Sequence, residues 1–89
     1  MVDLSKKPFY LDREQIQWVE DTLASMTEEE KIGQLFINLT LQRDEASIVE
    51  LCQKYHIGGT RWQGGTLEEA YEQNRMFQEK SRIPLLIAA

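Results

Sequence analysis

The chain has 89 residues, 42% hydrophobic and 28% charged, with a formal net charge of -5. That length holds one small domain at most, and the acidic balance argues against a nucleic-acid surface, whose affinity comes mainly from clustered Lys and Arg. Cys52 is the single cysteine, so an intrachain disulfide and a thiolate zinc site are excluded. No stretch approaches the roughly 20 apolar residues of a membrane span. Met1 to Lys7 lack the apolar core of a secretory signal, so a soluble cytoplasmic protein is expected.

Residues 1–11 read as a polar tail. Asp12 with Gln15 has capping-box spacing, and Ile16, Val19, Leu23 and Met26 share one helical stripe, which predicts a helix over residues 13–25. Thr27 caps a second, short helix, with Glu30 three residues later. Glu28, Glu29 and Glu30 sit where the helix dipole favours acids, so they read as helix-start chemistry rather than a catalytic cluster.

Leu35 to Leu39 is an apolar run expected to form the first strand, with Thr40 to Arg43 as the loop beyond it. Asp44 caps the next helix, which would carry Ile48, Cys52 and Tyr55 inward and end near His56, before Gly58-Gly59. Gly59 to Trp62 is the second strand and Gly64-Gly65 the turn after it. Thr66 with Glu69 makes another capping box, followed by Leu67, Ala70, Tyr71, Asn74 and Phe77 on one helix face. Ile83 to Ala89 then reads as a strand buried on both faces, with Pro84 near its start, where a missing N–H is tolerated.

Two helical crossovers between strands demand parallel pairing, so an α/β fold is expected. A strand buried on both faces needs more layers than these residues supply. The chain therefore reads as the opening piece of a larger α/β protein.

In such folds the chemistry gathers at the C-terminal ends of strands. The candidate substrate-binding residues are accordingly Asn38 near the end of the first strand and Arg61, Trp62 and Gln63 at the end of the second. An indole beside polar side chains suits a sugar, whose C–H face stacks while its hydroxyls take hydrogen bonds. Trp62 has a second reading, as packing on the neighbouring helix, and strand alternation forbids Arg61 and Trp62 from both facing inward. Trp18 reads as an outer packing residue.

His56 stands at the opposite end of the second strand, where it caps a helix or fills a turn. Cys52 on an apolar helix face reads as core. The Gly-Gly pairs lack both the Gly-x-Gly-x-x-Gly spacing and the following Lys of phosphate loops, so they read as turns, although Gly64-Gly65 lies on the functional side and would admit close backbone approach to a ligand. No cofactor or metal is expected.

Three pieces carry a resemblance: Met26-Thr27-Glu28-Glu29-Glu30-Lys31-Ile32-Gly33-Gln34-Leu35-Phe36-Ile37, then Tyr55-His56-Ile57-Gly58-Gly59, then Ile83-Pro84-Leu85-Leu86-Ile87-Ala88. In this order and spacing they resemble the N-terminal end of the family-3 glycoside hydrolases, especially the bacterial β-N-acetylhexosaminidase branch. The resemblance covers residues 16–89. It implies the first three β/α units of a (β/α)8 TIM-type barrel with parallel strands, preceded by an N-terminal helix, so that residues 12–89 form an incomplete catalytic domain.

It further implies a parent enzyme that hydrolyses a terminal β-linked sugar with retention. That chemistry needs a nucleophile and an acid/base. In the family the last strand runs into an acidic residue and a Glu-x-Gly turn that bind the sugar, and the nucleophilic aspartate and general acid lie further on. No residue here matches those motifs, so no catalytic residue is carried over and the isolated chain is expected to be inactive.

Two other classes stay open. One is a small interaction module that self-associates through exposed strand edges. The other is a flavodoxin-like regulator, which would be two strand units short and has Asn38 where an acidic pocket belongs.

Overall fold

The four helices among the described residues start at the residues read as caps, because each cap is a contact within three positions of the chain. The computed structural model describes residues 2–39, 44–62 and 64–88. In chain order the elements are α1 (Arg13–Ser25), α2 (Glu28–Gly33), β1 (Ile37–Asn38), α3 (Glu45–Gln53), β2 (Gly59–Arg61), α4 (Leu67–Lys80) and β3 (Leu86–Ala88).

At α1 the Gln15 N–H donates to Asp12 Oδ1 at 2.8 Å, and the Asp12 N–H donates to Gln15 Oε1 at 2.9 Å. Thr66 and Glu69 make the same reciprocal pair at α4. Asp44 starts α3 by accepting from the Ser47 N–H at 3.1 Å and from its hydroxyl at 2.7 Å. At α2 only half of the box forms. Thr27 Oγ1 accepts from the Glu30 N–H, but the Glu30 carboxylate turns away to Arg82, whose Nη1 donates to it at 2.9 Å.

The three strands among the described residues lie in chain order β1-β2-β3 and pair in parallel. The expected parallel α/β arrangement, preceded by a helix, is what the structure shows. Ile48 and Cys52 of α3, Ile57, Phe77 of α4 and Leu85 form the core, with Leu51 and Met76 packed against it. Full burial of Ile48 and Phe77 contributes about 1.5–3 kcal/mol each before entropy is counted.

Cross-strand partners share a face of a sheet. Asn38, Thr60 and Ile87 are in register, and Thr60 is fully buried. Ile37, Gly59 and Leu86 point the other way, as do Arg61 and Ala88 at the next register position. Ile37 is 58% and Leu86 70% exposed, so this second face is open. Gly59 lets it close locally: a Cβ there would lie 3.2 Å from Ile37 Cγ1 and 3.3 Å from Leu86 Cβ.

Several expectations change. The first strand is two residues rather than five, because Leu35 and Phe36 still donate to Ile32 and Gly33 in the turn that ends α2. Tyr55 is half exposed rather than inward: α3 ends at Gln53, and His56 takes a left-handed φ of 54° that redirects the chain. Leu67 and Tyr71 are also exposed. The buried side of α4 is Gln73 and Phe77, flanked by half-buried Ala70 and Asn74.

The last strand differs most. Leu86 to Ala88 are all exposed, and only Leu85, just before the strand, is buried. β3 is an edge strand with one face open, and among the described residues no further strand lies beside it. The loop read at Thr40 to Arg43 lies outside the described residues.

Candidate functional site

The C-terminal ends of β1, β2 and β3 come together at one end of the sheet, because parallel strands in register finish side by side. Asn38 ends β1, half-buried on the covered face, and its carbonyl accepts from Thr60 Oγ1 at 3.4 Å. Arg61 ends β2 on the open face, exposed and opposite Ala88. The structure thus brings Asn38 and Arg61 to one edge of the sheet but to opposite faces of it.

Trp62 follows directly. Its N–H donates to the Ala88 carbonyl at 2.8 Å, so the ladder runs one residue past β2. The indole is half-buried against the next turn: a Cβ on Gly65 would meet Cζ2 at 3.3 Å and Cη2 at 3.4 Å. Gly64 at φ 99° and Gly65 at φ 141° are backbone conformations that side chains disfavour, which is why this turn is built of glycine. The indole therefore packs on the turn that starts α4. Gln63 lies outside the described residues.

The acids of the described residues are largely engaged elsewhere. Asp12, Asp44 and Glu69 cap helices. Glu72 and Glu79 clamp Arg75 at 2.8 Å and 2.7 Å, Glu45 faces Lys80 at 3.5 Å, and Glu30 holds Arg82. Hydrogen bonds from the Ser47 hydroxyl, then from its N–H, hold the exposed Asp44 carboxyl below its ordinary value. Among the described residues no cluster of three or more His, Cys, Asp or Glu could hold a metal ion.

His56 and Cys52 sit away from the strand C-termini. The His56 carbonyl accepts from Gln34 Nε2 at 3.0 Å, and its left-handed backbone makes the turn into β2. Cys52 is buried, its thiol pushed up by burial, with the Ser81 hydroxyl 3.2 Å from its sulfur. That arrangement disfavours a thiolate nucleophile.

One relation was invisible in the sequence. Gly33 and Gly58, from the first two resemblance pieces, mark the point where the end of α2 crosses the approach to β2. A Cβ on Gly33 would run into the Tyr55 and His56 carbonyl oxygens, and one on Gly58 into the Gln34 backbone. The Gly58 N–H donates to the Gly33 and Phe36 carbonyls at 3.1 and 3.0 Å.

Two recesses accompany the site. A groove of about 740 Å³ runs along the outer side of β1, lined by Ile32, Phe36, Ile37, Leu51 and Tyr55. A smaller recess of about 240 Å³, lined by Glu30, Gln34, His56, Lys80 and Arg82, opens at the other end of the sheet. Among the described residues no helix is long and apolar enough to cross a membrane.

No family model matches the chain. Over all 89 residues it is 39% identical to a beta-N-acetylglucosaminidase/beta-glucosidase of Cellulomonas fimi, of which it spans 16%. A solved structure, beta-glucoside phosphorylase BglX bound to 2FGlc, matches 94% of this chain with a TM-score of 0.81 and 32% identity, over 15% of its own length. The chain thus spans about a sixth of each protein it matches. Sequence and backbone together bear out the resemblance to the N-terminal piece of a family-3 glycoside hydrolase.

Proposed function

We propose that residues 12–89 form the first β/α units of the catalytic barrel of a glycosidase that acts with retention on terminal β-linked sugars, β-N-acetylhexosaminides or β-glucosides. The observation that carries this reading is 39% identity along the whole chain to a beta-N-acetylglucosaminidase/beta-glucosidase. The open sheet face supports it, since a parallel sheet is ordinarily covered on both sides. Its side chains would line the barrel interior, with Asn38, Arg61, Trp62 and Gln63 at the substrate end.

The chain alone is inactive in this reading, because its acids serve caps and helix surfaces and no pair is placed for the nucleophile and acid/base roles. The carbohydrate is the partner of the whole enzyme, and the compartment is the cytoplasm. The test is a chimera in which these 89 residues replace their counterpart in the Cellulomonas fimi protein. A folded chimera should cleave a chromogenic β-glucoside or β-N-acetylglucosaminide while the isolated chain does not. A folded but inactive chimera, or turnover by the isolated chain, would sink the proposal.

A second reading changes only the acceptor, phosphate in place of water. The observation favouring it is the backbone likeness to beta-glucoside phosphorylase BglX. Sugar 1-phosphate among the chimera's products distinguishes the two. The exposed edges of β1 and β3 also suit self-association of the isolated chain. Sedimentation at rising concentration should then show growing mass, and a constant monomer mass would rule this out.

A further inference from the structure

The helix α1 buries none of its residues, and Trp18 and Leu23 on it are exposed, whereas α3 buries Ile48 and Cys52 and α4 buries Phe77. Its apolar stripe does not seat closely on its neighbours. A recess of about 230 Å³ separates Val19, Leu23 and Met26 from Gln34 and Ile83. Gln34 and Ile83 stand on the approaches to β1 and β3, so α1 lies at the N-terminal end of the sheet, opposite the candidate site.

Arg82 ties this helix down. Its Nη2 donates to Ser25 Oγ, on the last residue of α1, and its Nη1 donates to the Glu30 carboxylate of α2 at 2.9 Å. Between the two helices Met26 and Thr27 are both extended, a two-residue joint about which α1 can swing. The Arg82 side chain is 52% exposed and that of Glu30 19%, so their ion pair holds modestly and weakens with ionic strength. A segment with few buried apolar contacts opens at a lower free energy than the whole chain.

The same tie stands beside Cys52. Met26, Glu30, Arg82 and Cys52 together line the recess of about 240 Å³ at this end of the sheet. Ser81, the residue before Arg82, places its hydroxyl 3.2 Å from the Cys52 sulfur. The core of Ile48, Cys52, Ile57, Phe77 and Leu85 contains nothing from α1, so the sheet and its two covering helices can stay packed when α1 leaves.

We infer that α1 is a detachable strap across the N-terminal end of the sheet, latched by Arg82, and that its release opens the recess to the Cys52 thiol.

The experiment follows amide hydrogen exchange, residue by residue, and the rate at which N-ethylmaleimide labels the 89-residue chain, in low urea. Cys52 is the single cysteine, so the label reads one position. In the unsubstituted chain the Val19 to Ser25 amides and the labelling rate should stay nearly flat as urea rises, while exchange of the Phe77 amide climbs with global unfolding. Loss of a partly exposed ion pair corresponds to roughly a twofold to fivefold rise in the opening equilibrium. Glu30→Gln should raise α1 exchange and labelling by that factor, and Arg82→Gln, which also frees Ser25, by more. Removing a cation beside a thiol slows labelling by itself, so faster labelling reports opening.

Exchange of the α1 amides at the same free energy as the Phe77 amide overturns the strap. Unchanged α1 exchange in Arg82→Gln overturns the latch, and labelling that climbs with urea as the Phe77 amide does overturns the path to Cys52. Should Arg82→Gln not fold, the unsubstituted chain is measured in rising sodium chloride. Faster α1 exchange and labelling then support the latch, and no response to salt overturns it.

Discussion

Replacing Gly58 with alanine asks whether the crossing of α2 and the β2 approach is as tight as the backbone indicates. The added methyl would lie 2.7 Å from the Gln34 carbonyl carbon and 3.0 Å from Gln34 Cα, atoms that cannot swing aside as a side chain can. Relief requires the two segments to part. Overpacking of this kind costs about 1–3 kcal/mol. Parting also stretches the Gly58 N–H bonds to the Gly33 and Phe36 carbonyls, roughly another 1 kcal/mol. The expected loss is therefore about 2–4 kcal/mol.

Gly64→Ala is the matched control, since its φ is 99° but nothing lies within 4 Å of the added methyl. Only backbone strain remains there, of about 1 kcal/mol. Urea denaturation of the 89-residue chain and of the chimera, each with and without the substitutions, gives both numbers. A Gly58→Ala loss no larger than that of Gly64→Ala would refute the close-crossing account.

The buried amide of Gln73 finds no hydrogen-bond partner among the described residues. Gln73→Met keeps the shape and removes the unsatisfied groups, so the melting temperature should rise by an amount equivalent to about 1 kcal/mol, and a fall would show that the amide is satisfied. Asp44 titrates below its ordinary value because its ionised form accepts from Ser47. A depressed carboxyl contributes stability above its unfolded pKa and loses it as pH falls through the folded one. Helical circular dichroism should therefore decline on the acid side with an Asp44-dependent component that Asp44→Asn lacks, and identical acid profiles would refute it.

Helix starts were legible because Asp12, Thr27, Asp44 and Thr66 each act on a residue three positions away. The core positions Ile48, Cys52 and Phe77 were legible from helical spacing for a similar reason. The outward turn of Tyr55 was not, since it follows from where α3 stops. Nor was the exposure of Leu67 and Tyr71, while Gln73, polar and overlooked, takes the buried place. At the site the strand ends could be located from chain order, whereas the face each residue takes depends on register.

The amino-acid sequence by itself determined the order of elements, the parallel α/β plan and the caps, because each is set by short-range contacts and connection length. Only the tertiary structure decided the partners separated by long stretches of chain. Glu30 chose Arg82, 52 residues on, over its own cap, and Gly33 and Gly58 meet where two segments cross. Arg61 and Trp62, neighbours in the chain, part company at the end of β2, one on the open face and one against the glycine turn. Such choices depend on which backbone happens to stand opposite, and that is known only after the segments have packed.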